Sequence, residues 1–267
     1  MFRLIATTTL VFASAALTWA DDANSFQWQG DMSPGQTLAI RGINSGVTAD
    51  LAPGTQAQVT AVKSGIMDNP ALVQIQVVTY DGGVVICAVY PNMIPNQPDT
   101  CVAPGTMKAG QYQVSSDVQV QFTVHVPAGV LLDVTEVNGD IRANGLTAAI
   151  HATTVNGQIA ISTSGTVQAT TVNGSIVATL SGTDWSGSRS FTTVNGSIDV
   201  GVPASADLVV HASTVSGAIS TDFPLAVRNA NGFMCGSGAT LNGTIGSGAG
   251  ALNLTTVNGS IHLRKSQ

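Results

Sequence analysis

Charged residues are scarce in this chain. Asp, Glu, Lys and Arg make up 9% of it, against about a quarter in a typical globular protein. The formal net charge is −6, and Glu136 is the single glutamate. Nucleic-acid binding is excluded as a function class, because phosphate contacts need clustered Lys and Arg. Apolar residues still form 44% of the chain, so the composition does not indicate disorder.

Long apolar runs are missing after the first twenty residues. Residues 1–20 carry a positive charge near their start at Arg3, continue without charge to Trp19, and end at Ala20 before Asp21 and Asp22. This pattern is typical of a secretory signal peptide, whereas a membrane anchor, the alternative, needs a longer span. We therefore expect an exported mature chain, periplasmic, at the cell surface or secreted, without a membrane span.

Cysteine is also rare, with three residues in the chain. Cys87 and Cys101 enclose a Pro-rich loop, and an oxidising compartment favours a disulfide between them over two buried thiols. Cys235 has no neighbouring base in "NGFMCGSG", so we expect a small buried residue there. Whether its thiol is free stays open.

Helical periodicity is almost absent, and one phrase repeats instead. The pattern Val-Asn-Gly-x-Ile, cleanest in "TTVNGSI" at 170–176, recurs in seven copies, whose Asn positions are Asn138, Asn156, Asn173, Asn195, Ser216, Asn242 and Asn258. Self-similarity at this spacing is typical of a solenoid, in which each unit buries its apolar face only by stacking on its neighbours.

Asn-Gly is a strong signal for a two-residue hairpin, but the alternation argues against one here. A hairpin would place Val172 and Ile176 on opposite faces, whereas a strand running straight through would place Val172, Gly174 and Ile176 on one face. We prefer the continuous strand, with interior rows of Val, Gly and Ile. An upstream apolar pair, such as Ile150 and Ala152, is offset by one residue, which indicates a corner before the strand.

The prediction is an all-β protein: a parallel β-solenoid of about seven coils at 129–267, preceded by an N-terminal β region at 21–128. An antiparallel meander or sandwich remains the alternative, because sequence does not fix strand direction. "LAIRGINSGV" at 38–47 fits the repeat as a divergent first copy, with Asn44 in the Asn place. Asp81-Gly82-Gly83 predicts a hairpin, and we expect the N-terminal region to cap one end of the array.

The repeated units, together with "VPAGVLLDVTEVNGDI" at 126–141, resemble the bacterial "putative adhesin" domain family. The resemblance covers roughly residues 36–263. It implies envelope proteins with β-helix-like repeats, and it carries over no catalytic motif.

Carboxylates are too few for an obvious enzyme. Glycoside hydrolysis usually needs two carboxyl groups that flank one bond, and the densest acidic group, Asp133, Glu136 and Asp140, is expected on a solvated face. We predict no catalytic residue, no cofactor and no metal ligand. The alternative is a carbohydrate-active β-helix enzyme, a lyase or glycosidase, whose carboxylates converge from distant coils.

A binding surface is the remaining hypothesis. The residues before the Val row and the repeat asparagines would share the outward side and form a neutral lattice: Thr154, Thr171, Thr193, Thr214, Thr256, Asn173, Asn195 and Asn258. Such a lattice is either a solubilising face of good strand formers or a recognition surface for a surface glycan or another envelope or matrix component. The sequence leaves the oligomeric state open.

Overall fold

The computed structural model describes residues 24–91, 100–103, 116–229 and 238–266. The predicted signal peptide at 1–20 and Cys235 lie outside these ranges. Within them the chain is built from strands, apart from a single short 3-10 turn at Pro70–Leu72. No helix in the described ranges has the length and apolar character needed to cross a membrane.

The strands form two sheets. In spatial order the first sheet contains β1 (Ser25–Asp31), β4 (Gln56–Ser64), β7 (Gln119–Val126), β3 (Ser45–Leu51), β9 (Ile141–Leu146), β11 (Ile159–Thr163), β13 (Ile176–Leu180), β15 (Ile198–Pro203), β21 (Ile261–Ser266) and β17 (Ile219–Thr221). The second contains β18 (Val227–Asn229), β19 (Ala239–Ile245), β16 (Leu208–Ser216), β20 (Gly250–Asn258), β14 (Gly187–Asn195), β12 (Val167–Asn173), β10 (Ile150–Asn156), β8 (Leu131–Thr135), β2 (Thr37–Arg41), β6 (Gly83–Val89) and β5 (Gln74–Tyr80).

Each coil contributes one strand to each sheet, and neighbouring coils pair in parallel. Among the described residues the coils stack in the order β6/β7, β2/β3, β8/β9, β10/β11, β12/β13, β14/β15, β20/β21 and β16/β17. Ile176 is in register with Ile159 on one side and Ile198 on the other. The predicted parallel β-solenoid is confirmed, and the antiparallel alternative is excluded for these coils.

The core lies between the two sheets. The alternation correctly predicts two of its rows, the Ile row and the upstream apolar pair. The Ile position is buried in the repeats, for example at Ile159 and Ile176, and so is the upstream pair Ile150 and Ala152. Full burial of an aliphatic side chain contributes about 1.5–3 kcal/mol, and stacking coils repeat this contribution along the solenoid.

The predicted course of the strand through Asn-Gly is wrong. β12 ends at Asn173 and β13 begins at Ile176, so the chain turns its corner between these residues. The inward alternation continues from the upstream pair to Thr171, which is 1% exposed, while Val172 is 37% exposed. The Val row therefore lies outside the core, because the corner resets the alternation before Ile176.

The Gly row, predicted to be interior, lies at the corner instead. A Cβ atom on Gly174 would overlap the carbonyl of Gly157 in the preceding coil. Glycine is required there because the corner backbones of consecutive coils approach each other closely, and not because the core needs room.

The ends of the array confirm two sequence predictions and correct a third. Asn44 forms a parallel bridge with Asn138, as expected for a divergent first repeat. Tyr80 pairs with Gly83 across the predicted hairpin. The prediction that the sixth copy of the repeat forms a coil is wrong, because Asn242 lies inside β19, which runs antiparallel to β16. Antiparallel strands thus flank both ends, with β1, β4 and β5 at one end and β18 and β19 at the other.

Candidate binding ridge

An asparagine ladder runs along the corner of the solenoid. It contains Asn44, Asn138, Asn156, Asn173, Asn195 and Asn258, one from each of six consecutive coils. From Asn138 onward, the Nδ2 atom of each asparagine donates to Oδ1 of the asparagine in the preceding coil, over 2.7–2.9 Å. Parallel, in-register stacking of identical residues is what makes such a ladder possible.

The ladder leaves part of every amide unused. An asparagine side chain carries two N–H donors and two acceptor lone pairs, and the ladder uses one of each inside the array. These side chains are exposed from Asn138 to Asn258. Each therefore presents about one free donor and one free acceptor to solvent, repeated at the strand spacing of about 4.8 Å.

A row of valines flanks the ladder. Val137, Val155, Val172, Val194 and Val257 are each 37% exposed, and Val215 is 62% exposed. We call this surface, made of the six ladder asparagines and these six valines, the Val–Asn ridge. It carries no ionisable side chain, so its recognition chemistry is neutral hydrogen bonding combined with apolar contact.

The threonines predicted to share this surface lie inside the protein. Their side chains are 1–3% exposed, and each Oγ1 donates to a glycine carbonyl of the preceding coil over 2.9–3.0 Å: Thr154, Thr171, Thr193, Thr214 and Thr256. The prediction of an outward Thr row is wrong, because these residues continue the inward alternation up to the corner. The sequence did carry this signal, since Ile150, Ala152 and Thr154 are spaced two apart.

Glu136 takes the place of threonine in its own coil. It lies two residues before Asn138, is 1% exposed, and accepts a hydrogen bond from the Ser45 hydroxyl. Burial raises the pKa of Glu136 to about 8, although the Ser45 hydrogen bond and the Arg41 charge oppose this. The expectation of a solvated face was therefore wrong for Glu136, which is buried as a neutral acid at neutral pH.

A polar network surrounds this buried acid. Arg41 pairs with Asp133 at 2.6 Å and also donates to the Asp133 carbonyl. Arg41 Nε and Glu136 Oε1 are buried without a hydrogen-bond partner among the described residues. Since the single glutamate is enclosed in this network, it is not available to an external substrate.

The N-terminal end of the ridge is braced by a disulfide and an aromatic side chain. Cys87 and Cys101 are bonded, with their Cα atoms 5.6 Å apart. Tyr90 is buried, and its hydroxyl donates to the Asn44 carbonyl at 2.8 Å. Tyr90 therefore supports the backbone at the first ladder position and is not part of an exposed aromatic site.

Side chains that could ligate a metal are not clustered within the described residues. No group of three or more His, Cys, Asp or Glu side chains in those ranges could hold a metal ion.

The chain is similar to several solved structures at low sequence identity. A putative cell adhesion protein from Clostridium sporogenes is 11% identical, with 91% of this chain and 100% of that chain covered, at a TM-score of 0.48. A putative adhesin from Bacteroides fragilis is 10% identical, with 92% and 98% covered, at a TM-score of 0.29. No curated protein matches the chain.

A family model gives the stronger comparison. Residues 106–264 match the model described as Toastrack DUF4097. The matched segment is more than half of the chain and contains all seven copies of the repeat. This chain belongs to the Toastrack DUF4097 family.

Proposed function

We propose that this chain is an exported, non-enzymatic binding module of the cell envelope, and that its Val–Asn ridge binds an uncharged polysaccharide. The observation that carries the proposal is the asparagine ladder, which repeats one free donor and one free acceptor along the corner of the solenoid. A polymer with its own regular repeat is the ligand that such a one-dimensional array suits best.

The chemistry of the ridge favours sugars within this class. A sugar hydroxyl both donates and accepts, as does each ladder amide. The valine methyl groups next to the ladder offer apolar area to the C–H faces of sugar rings. Because neighbouring amides already hold each asparagine in place, binding would cost less side-chain entropy than it would on a flexible surface.

A non-enzymatic role is supported by where the carboxylates lie. Glu136 is buried and protonated at neutral pH. Asp140 follows Asn138, the second ladder position, and is paired with Arg142 at 2.9 Å, whereas the equivalent positions in the following coils hold Gln158, Ser175 and Ser197. Among the described residues along the ridge, no pair of carboxylates flanks one bond in the way that glycoside hydrolysis usually requires.

The ridge can be tested with a triple variant in which Val155, Val172 and Val194 are each replaced by serine. The matched control is Val177→Ser, at a 46% exposed position on β13, outside the ridge. Using a polysaccharide that the parent chain retains on a glycan array, we expect the triple variant to bind at least about tenfold more weakly and the control to bind normally. Normal binding by the triple variant would remove the ridge as the site.

Two further measurements address the remaining parts of the proposal. Binding should change little over about a tenfold range of salt, because the ridge is uncharged. Release of new reducing ends or unsaturated products from the bound polysaccharide would support the carbohydrate-active enzyme instead. Cell fractionation, with N-terminal sequencing of the mature chain, tests export and cleavage after Ala20.

A further inference from the structure

The last coil in sequence order is not the last coil in space. β20 and β21 follow all other described strands, yet they lie between β14/β15 and β16/β17. β20 pairs over its full length on both sides, from Gly250 to Asn258. Until residues 250–266 pair there, a slot one coil wide therefore lies beside β14 and β15.

The repeat sequence makes this slot receptive to any copy of the last coil. "TTVNGSI" occurs at both 192–198 and 255–261, so the ladder, the Thr row and the Ile row continue across the slot without a break. Asn258 bonds to Asn195 at 2.9 Å, and Thr256 donates to the Gly196 carbonyl at 2.9 Å. The Val–Asn ridge is incomplete until a last coil fills the slot.

Charge distinguishes the last coil from the other repeats. Arg264 Nε lies 2.6 Å from Asp199 on β15, and His262 Nδ1 lies 3.2 Å from the same carboxylate. On the other side, the Lys265 amide donates to Asp222 at 3.0 Å. The positions of β13 that are equivalent to His262 and Arg264 hold the uncharged residues Val177 and Thr179. The slot is bordered by Asp199 on one side and Asp222 on the other, so it favours the basic end of residues 250–266 over another repeat.

A short crossover leads into the slot. Residues 246–249 connect β19 to β20 by passing over the start of β16. Asp207 holds this crossover: its carboxylate accepts from the Ser247 hydroxyl at 2.8 Å, from the Ala249 amide at 3.2 Å and from the Gly248 amide. The crossover is the only part of this region whose path must change if the coil is placed elsewhere.

We propose that the slot accepts the last coil of a second copy of this chain, so that two copies exchange residues 250–266 and form a dimer. Every contact inside the slot is reproduced in the exchanged form, and only the crossover differs, which is the condition for low-cost exchange. Exchange takes place during folding, while the slot is open. Each ridge of the dimer then contains Val257 and Asn258 from the other copy. The proposal holds whether or not the ridge binds a polysaccharide.

The test is a full-length variant with Ser190→Cys and Asn253→Cys, made with Cys235→Ser. Ser190 and Asn253 are register neighbours on β14 and β20, and adjacent strands lie about 4.8 Å apart, within the Cα range for a disulfide. The control pair is Gln168→Cys with Ser190→Cys, on β12 and β14, which stay in one copy. Both variants are refolded in a glutathione couple at low and high concentration, separated by size, and run on non-reducing gels.

At high concentration we expect a dimer fraction in which the 190/253 pair links two copies covalently, while the 168/190 pair links none. In the monomer fraction both pairs should close within one copy. A dimer fraction absent at every concentration, or a dimer whose 190/253 pair closes within one copy, would overturn the proposal. Covalent dimers from both pairs would count against it too, as unspecific cross-linking.

A second variant tests the crossover. Asp207→Ala removes the groups that hold residues 246–249, and it should raise the share of dimer after refolding several-fold. Asp117→Ala is the matched control, because the Asp117 carboxylate also accepts from three backbone amides, those of Ile66, Met67 and Asp68, in a part of the fold that does not border the slot. Equal dimer shares in the two variants would contradict the role of the crossover.

Discussion

Gly42 and Glu136 occupy equivalent positions in adjacent coils, two residues before Asn44 and Asn138, and a Cβ atom on Gly42 would lie 2.6 Å from Glu136 Oε2. The absent side chain of one coil thus provides the space for the long acid of the next. The same added Cβ would overlap the Ser45 hydroxyl, which donates to Glu136.

Gly42→Ala should therefore destabilise the protein by about 1–3 kcal/mol, as expected for overpacking of a closed site. Gly54→Ala is the control, because a Cβ atom there meets nothing within 4 Å. Chemical denaturation of both variants measures the difference. Equal stability for the two would show that the Glu136 site can relax.

Glu136 should make stability depend on pH in an unusual direction for an acid. Its folded-state pKa is raised from 4.5 to about 8, chiefly by burial, so the folded protein retains a proton that the unfolded chain loses as the pH rises. This contribution to stability is complete below pH 4.5 and is lost as the pH rises to about 8, at about 1.4 kcal/mol per pH unit.

Glu136→Gln removes this group, so the free energy of unfolding of the variant should lack that slope. Denaturation of both proteins at several pH values between 4.5 and about 8 gives the two pH profiles of the free energy of unfolding. In the difference between the profiles, the contributions of the other carboxylates cancel. Parallel pH profiles would indicate that Glu136 is ionised in the folded protein.

The reversed positions of Thr171 and Val172 can be checked with a reciprocal pair of substitutions. Thr171→Val removes the 3.0 Å hydrogen bond to the Gly157 carbonyl and should cost about 0.5–1.5 kcal/mol. Val172→Thr changes an outward side chain and should stay within about 0.5 kcal/mol. A lower melting temperature for Val172→Thr than for Thr171→Val would indicate that the Val row lies in the interior after all.

The disulfide should stabilise the region that supports the first ladder position. Cys87 and Cys101 are 14 residues apart, and closing a loop of this length contributes about 3 kcal/mol in the chain-entropy model. Cys101→Ser should lower the free energy of unfolding by this order. The double Ser variant should lose no more than the single one, and a clearly larger loss would point to packing of the Cys87 side chain.

The repeat, the all-β class and the buried Ile row were predictable from the sequence alone. These follow from local regularities: a fixed Asn-Gly-x-Ile phrase and strict alternation within each strand. The divergent first repeat at Asn44 was also predictable, since Val47 follows Asn44 by three residues, as Ile follows Asn in the other copies. Strand direction was left open because period-2 alternation is the same in parallel and antiparallel sheets.

Which side chains the corner turns inward depends on the folded structure and cannot be derived from the repeat. Alternation relates Thr171 to Val172, but only the position of the corner shows which of the two continues the core row. The fate of Glu136 was decided in the same way, because its burial depends on Gly42 and Ser45, more than 90 residues away in the sequence.

The order of the coils is likewise a property of the tertiary structure alone. Copies with nearly the same sequence can pair with each other in any order, so the repeat does not reveal that residues 250–266 lie between β14/β15 and β16/β17. Contacts outside the repeated phrase distinguish this position: His262 and Arg264 lie against Asp199, and Asp207 accepts hydrogen bonds from the crossover. The local sequence therefore specifies the strands and the corner of each coil, whereas long-range pairing specifies the position of the coil in the stack.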